Sequence, residues 1–302
     1  MATVMTEVRL AQLRRDQCGM GRDEGYKSWI RVRRKLSSPV SNQHAMINPL
    51  YLRSLQLLSG LEFSAANVAL WLGANEVREQ HPLWPTEHMH PGTGRHPDLD
   101  RKYSSAPGLL DIAKQAGIKH GVYPGTRIPF VATIDFTIAT GDWHASRLIH
   151  WSCKPRSLLD SAPNRARMLE RIELERLYSH AVDALHVVVD GTKFSHTLIG
   201  FLDAHRPPRS ELRDPFYRDR LPEFCGLYMS VVDEPIERAR QFVAEKMKLS
   251  NLHAQTLFRT ATWMGLLDAD FSTPIVMTRP LRLDGTRFKQ RLRAELLGET
   301  NA

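Results

Sequence analysis

The chain has 302 residues, 42% of them hydrophobic, and 41 basic against 33 acidic residues give it a formal charge of +8. No apolar run approaches the roughly twenty residues of a membrane helix, and the start lacks a signal-peptide core, so the expectation is a cytoplasmic protein. Cys18, Cys153 and Cys225 are too few and too scattered for a disulfide framework or a paired-cysteine zinc site.

In chain order, the first feature is a basic cluster comprising Arg9, Arg14, Arg15, Arg22, Lys27, Arg31, Arg33, Arg34 and Lys35. A second one, Arg279, Arg282, Arg287, Lys289, Arg291 and Arg293, lies near the end. Either suits DNA phosphates, and either also suits a solubilising tail. Leu58, Leu61, Ala65, Val68 and Leu72 recur at steps of three and four, which predicts a helix with one buried stripe and Glu62 beside it. Arg78-Glu79-Gln80 fits a strand-edge ion pair. His81, His88, His90 and His96 fall in a stretch rich in Pro and Gly that reads as a polar surface loop, with a metal shared by His88 and His90 as the sharper alternative. Gly92-Thr93-Gly94 lacks the lysine and hydroxyl residue of a phosphate loop, so no nucleotide site is indicated there and any ATP dependence falls to a partner.

Two segments carry the chemistry. Thr133-Ile134-Asp135-Phe136-Thr137 predicts a strand whose Asp135 shares a face with Thr133 and Thr137 while Ile134, Phe136 and Ile138 point to the core. His150-Trp151-Ser152-Cys153-Lys154-Pro155 predicts another, with Ser152 and Lys154 on one face. Gly141-Asp142 between them permits an antiparallel return that sets Asp135 beside Lys154. Phosphodiester hydrolysis needs such groups. A divalent ion on hard oxygen ligands neutralises phosphate charge and acidifies a bound water, and a lysine orients that water or stabilises developing charge. Glu62 is the most plausible further carboxylate.

Beyond these strands, Glu170 to Arg176 fits a solvated helix with acid–base pairs three or four apart. Ala184 to Asp190 predicts a buried closing strand, and Ala204 to Ser210 is polar and rich in breakers. The length favours two domains, 1–195 and 196–302. In the second, Pro235 opens a helix through Met247, Ser250 caps another that Gly265 ends, and Pro274-Ile275-Val276-Met277-Thr278 predicts a strand. That outline fits a winged helix, and a plain helical packing module fits it equally.

Read jointly, Leu57 to Glu62, Val77 to Leu83, Gly117-Ile118-Lys119-His120, Thr133 to Phe136, Cys153-Lys154-Pro155 and Leu169 to Arg176 resemble, in order, the TnsA endonuclease family. Gly19-Met20-Gly21-Arg22 and Ser28-Trp29-Ile30 resemble its opening segment. The resemblance spans roughly residues 18 to 195. It implies an α/β, restriction-endonuclease-like mixed-sheet core followed by a mostly helical, winged-helix-like domain that binds DNA and a regulator. It further implies a Mg-dependent DNA endonuclease, with Mn as a substitute, that cuts the non-transferred strand at the 5′ ends of a transposon. A TnsB-like transposase and a TnsC-like ATPase would be its partners.

Carried over, Glu62, Asp135 and Lys154 are the catalytic acid, acid and lysine. Metal ligands would be Glu62, Asp135, the carbonyl of Cys153 and Ser152, which stands where the family commonly has glutamine. Glu173 and Glu175 would lie next to that centre, and Arg78, Gln80, Lys119 and His120 would contact DNA. Two rivals share parts of this pattern: a stand-alone restriction-type nuclease, and a non-catalytic adaptor that binds DNA and a regulator.

Overall fold

The computed structural model describes residues 5–31, 44–103, 105–141 and 147–299. Arg33, Arg34 and Lys35 of the first basic cluster and Asp142 of the turn lie outside the described residues. The architecture is mixed α/β. Its contacts divide the chain into two compact units. The first takes residues up to Met46, Arg53–Ala66 and Gly73–Lys193; the second takes Ile47–Leu52, Asn67–Leu72 and everything from Phe194 onward. Among the described residues no helix is long and apolar enough to cross a membrane.

In chain order the elements up to residue 193 are α1 (Glu7–Arg15), β1 (His44–Ile47), β2 (Ser54–Leu57), α2 (Gly60–Trp71), β3 (Glu76–Leu83), α3 (Pro97–Lys102) and α4 (Leu109–Gln115). After these come β4 (Ala132–Thr140), β5 (Arg147–Cys153), α5 (Arg156–Ser161), α6 (Arg165–Ala181) and β6 (Ala184–Val189). A four-stranded sheet runs β3-β4-β5-β6, antiparallel from β3 to β5 and parallel between β5 and β6. The parallel pair needs a crossover, and α5 and α6 supply it. The alternation of β4 follows the sequence, with Ile134, Phe136 and Ile138 fully buried. Its other face is covered as well: Thr137 is buried, and α6 lays Leu174, Glu175, Tyr178 and Ser179 inward.

Three expectations about residues up to 193 need correction. β6 is an edge strand with Leu185 and Val188 exposed, because among the described strands it pairs only with β5. The histidine stretch is no surface loop. His81 belongs to β3, and His90 is buried, flat against Tyr103 with ring centroids 4.1 Å apart, its Nε2 3.1 Å from the Val182 carbonyl oxygen. His88 reaches the Tyr178 hydroxyl at 2.8 Å. Finally, α2 has no single apolar stripe: Ala65 to Leu72 are all buried. Within the second unit, Trp71 packs on Phe271 and Phe288, Arg206 bonds Asn67 and Arg293 bonds the Leu72 carbonyl.

The later residues form α7 (His196–His205), α8 (Arg209–Arg213), α9 (Pro215–Arg218), α10 (Leu221–Met229), α11 (Ile236–Lys246), α12 (Asn251–Met264) and α13 (Gly285–Leu297). Capping acts as the sequence foretells. The Ser250 side chain accepts from the His253 N–H, and Gly265 ends α12 in the left-handed region at φ 77°. Pro274–Thr278 is not a strand. The carbonyls of Met277 and Arg279 accept from the N–H groups of Glu237 and Ile236, so this segment serves the open N-terminus of α11 instead of pairing as a wing. Much of the C-terminal basic cluster is helical, since Arg287, Lys289, Arg291 and Arg293 all lie on α13.

Candidate active site

The last ladder pair between β4 and β5 is Phe136 with Trp151, so Asp135 and the residues after Trp151 meet just beyond it. Asp135 Oδ2 accepts from the Lys154 ammonium at 2.6 Å and from the Cys153 N–H at 2.7 Å. Both side chains are mostly buried, with 22% of Lys154 and 13% of Asp135 exposed. Burial works against the charged lysine, but the carboxylates of Asp135 and Glu175 overcome it and hold its pKa above the ordinary value.

Glu62 reaches the same place from the start of α2. Ser59 caps the helix: its hydroxyl oxygen accepts from the Glu62 N–H at 3.1 Å, while Glu62 Oε2 reaches back past the cap and accepts from the Leu58 N–H at 2.9 Å. The same oxygen accepts from the Gln80 amide at 3.2 Å, and Gln80 in turn accepts from the Thr133 hydroxyl at 3.0 Å. Gln80 sits opposite Asp135 at φ 49°, where the β3–β4 ladder skips one pair. A left-handed glutamine inside a strand is strained, and here it turns its amide onto a carboxylate of the site. Burial first, and the neighbouring charge of Asp135 second, push the Glu62 carboxyl up to about 7.

Ser152 faces a different set of partners. It is fully buried, its hydroxyl donates to Glu175, and His186 Nε2 lies 2.8 Å from the same oxygen. With the hydroxyl proton directed at Glu175, the imidazole is the donor. Burial pushes the Glu175 carboxyl up to about 7 and, together with Arg176 and Lys154, holds the His186 imidazole down to about 4. Ser152 is thus tied to Glu175 and His186, with one donated and one accepted bond on its oxygen. Cys153 contributes its N–H to Asp135, and its buried thiol is pushed well above its usual range.

The remaining candidates divide. Glu175 stands at the cluster, whereas Glu173 is a solvated partner of Arg176 at 2.6 Å on α6. Gln80 is brought in, but Arg78 is buried, giving its Nη2 to the Pro91 carbonyl at 2.6 Å and standing 3.6 Å from Glu76, which also pairs with Arg22. Arg22 likewise leaves the basic arm for the interior. Lys119 is exposed, and its carbonyl accepts from Arg167 at 2.7 Å; His120 Nδ1 rests against the Gly121 carbonyl at 2.8 Å. Neither of these two bonds leads to Asp135.

Among the described residues no three His, Cys, Asp or Glu side chains converge as a ready-made metal cage. The carboxylate oxygens of Asp135 and Glu62 are hard donors of the kind that suit a hydrated divalent cation, beside a charged lysine that is not itself a ligand. His186 was invisible in the sequence, since its meeting with Ser152 needs the parallel β5–β6 pairing. A scan against protein-family models found no match to this chain, and neither did a search of curated proteins.

Proposed function

We propose that the protein is a metal-dependent DNA endonuclease of restriction-endonuclease-like fold. Its role would be the TnsA-like one: cutting the non-transferred strand at the 5′ ends of a mobile element beside a TnsB-like transposase and a TnsC-like ATPase. The observation that carries this reading is the 2.6 Å pair of Lys154 and Asp135, with Glu62 held near them by Gln80. The charge of Asp135 opposes the ionisation of buried Glu62, and a cation bound beside both would relieve that opposition.

A Mg²⁺ ion bound by Asp135 and Glu62 would neutralise phosphate charge and acidify a water. The ammonium of Lys154, kept charged by its neighbours, is placed to hold that water or a phosphate oxygen. Glu175 and Ser152 fix the strand end from which Lys154 projects. Gln80 orients Glu62 and is itself steadied by Thr133.

Calorimetric titration of Mn²⁺ into the protein with and without duplex DNA tests the metal half of the reading. One site per chain is expected, lost in Asp135→Asn and weakened in Glu62→Gln. Equal Mn²⁺ binding by wild type and Asp135→Asn would contradict it.

A further inference from the structure

A second built site lies within the first unit. Residues 14–22, the end of β3 and the turn after it enclose a cavity of about 540 Å³. That volume is in the range of small-molecule sites, roughly 300–1,000 Å³. Half-buried Arg22 and buried Arg78 line it, sharing one carboxylate, Glu76, while Arg22 also gives its Nε to the Thr93 carbonyl and its Nη2 to the Pro91 carbonyl. The Arg78 Nε faces Glu76 Oε1 at 3.6 Å and, among the described residues, makes no hydrogen bond. Two guanidiniums on one carboxylate leave an excess positive charge in a desolvated place, which an anion would balance.

The other wall differs in kind. Trp84 lines it with the Arg14 guanidinium 4.9 Å from its ring centroid. His81, 6% exposed, turns into it, and among the described residues its Nδ1 has no partner. A buried imidazole nitrogen without a partner is costly unless a ligand completes it. The one carboxylate on the lining, Glu87, is bonded to Ser105.

We propose that this cavity binds a nucleotide, with its phosphate beside Arg22 and Arg78 and its base against Trp84, one base edge on His81. The phosphate is held by side chains rather than by a glycine loop, which is why Gly92-Thr93-Gly94 gave no motif although Thr93 and Gly94 line the cavity. The nucleotide comes either free or as the unpaired end of a DNA strand; the chemistry of recognition is the same.

Calorimetry with the full chain decides the matter, using dAMP, dTMP, a 5′-phosphorylated single-stranded tetranucleotide and inorganic phosphate as probes. Saturable binding of the mononucleotides is expected if the ligand is free, and of the tetranucleotide alone if it is a DNA end. His81→Phe removes the ring nitrogens, and Met89→Trp fills the mouth from an exposed position that does not threaten the fold. Each should weaken binding about tenfold or more. Asp135→Asn should bind as wild type does, which separates this site from the proposed nuclease centre. No saturable binding of any nucleotide overturns the proposal, as does phosphate alone binding equally well. Wild-type affinity in both cavity variants, or loss of binding in Asp135→Asn, overturns it too.

Discussion

Glu62 serves the helix start and the candidate centre at once. Its carboxyl bonds the Leu58 N–H and the Gln80 amide, and burial beside Asp135 pushes it from 4.5 up to about 7. The folded chain thus holds this proton more tightly than the unfolded one. That contribution to stability is complete below about pH 4.5 and fades as pH rises through 7. Glu62→Gln mimics the protonated form at every pH, so its Tm should gain on that of the wild type between pH 5 and pH 8. A constant Tm difference over that window would contradict the assignment. Ser152 offers a second test at this scale. Ser152→Ala strips Glu175 of its donor and should cost about 1–3 kcal/mol in urea unfolding. Ser152→Gln forces a longer side chain into a fully buried position, also at about 1–3 kcal/mol. A glutamine variant as stable as wild type would mean the pocket around Ser152 is looser than its contacts imply. Asp135 and Lys154 were legible as neighbours because strand alternation and one turn suffice to pair them. The engagement of Ser152 was not legible, since it depends on His186 and Glu175 far away in sequence; nor was the burial of Arg78, since its bond to the Pro91 carbonyl needs the chain after β3 to return to it.

Elements with their own punctuation were the ones the sequence specified. Ser250 and Gly265 bracket α12 as expected, the first by a side-chain bond to the His253 N–H and the second by a left-handed backbone. Ser250→Ala should therefore cost about 1 kcal/mol of stability, read from chemical unfolding of the full chain. A change well below that would mean the cap bond is replaced by water without loss. Pro274–Thr278 failed as a strand for an instructive reason: Ile275 and Val276 favour β structure, but a strand needs a partner edge. The neighbouring carbonyls find α11 instead. β6 was misjudged in burial rather than in type, because an apolar run does not reveal whether a further strand covers it. The sharp backbone at Gln80 also had no local signal, being neither glycine nor asparagine.

At the scale of the molecule, a division at residue 195 would leave the second unit incomplete. Asn67–Leu72 belong to it, with Trp71 packed 5.6 Å from Phe271 and 6.2 Å from Phe288, and Lys289 5.1 Å over the same indole. A fragment of residues 196–302 should accordingly melt without a cooperative transition by circular dichroism, and addition of residues 47–72 through a linker should restore one. Sharp two-state melting of the bare fragment would contradict that account. Sequence patterns do not show that a helix begun at Gly60 supplies residues to both units. The proposed function is chemical: Asp135, Glu62 and Lys154 would together cut DNA. Strand-specific cleavage of labelled element-end DNA, with Mg²⁺ and the neighbouring transposase components, tests it most directly. Asp135→Asn should abolish the 5′-strand cuts, and Lys154→Met should slow them about 10²- to 10³-fold, while 3′-strand cuts persist. Unchanged 5′-strand cutting in Asp135→Asn would contradict the catalytic assignment and favour a non-catalytic adaptor.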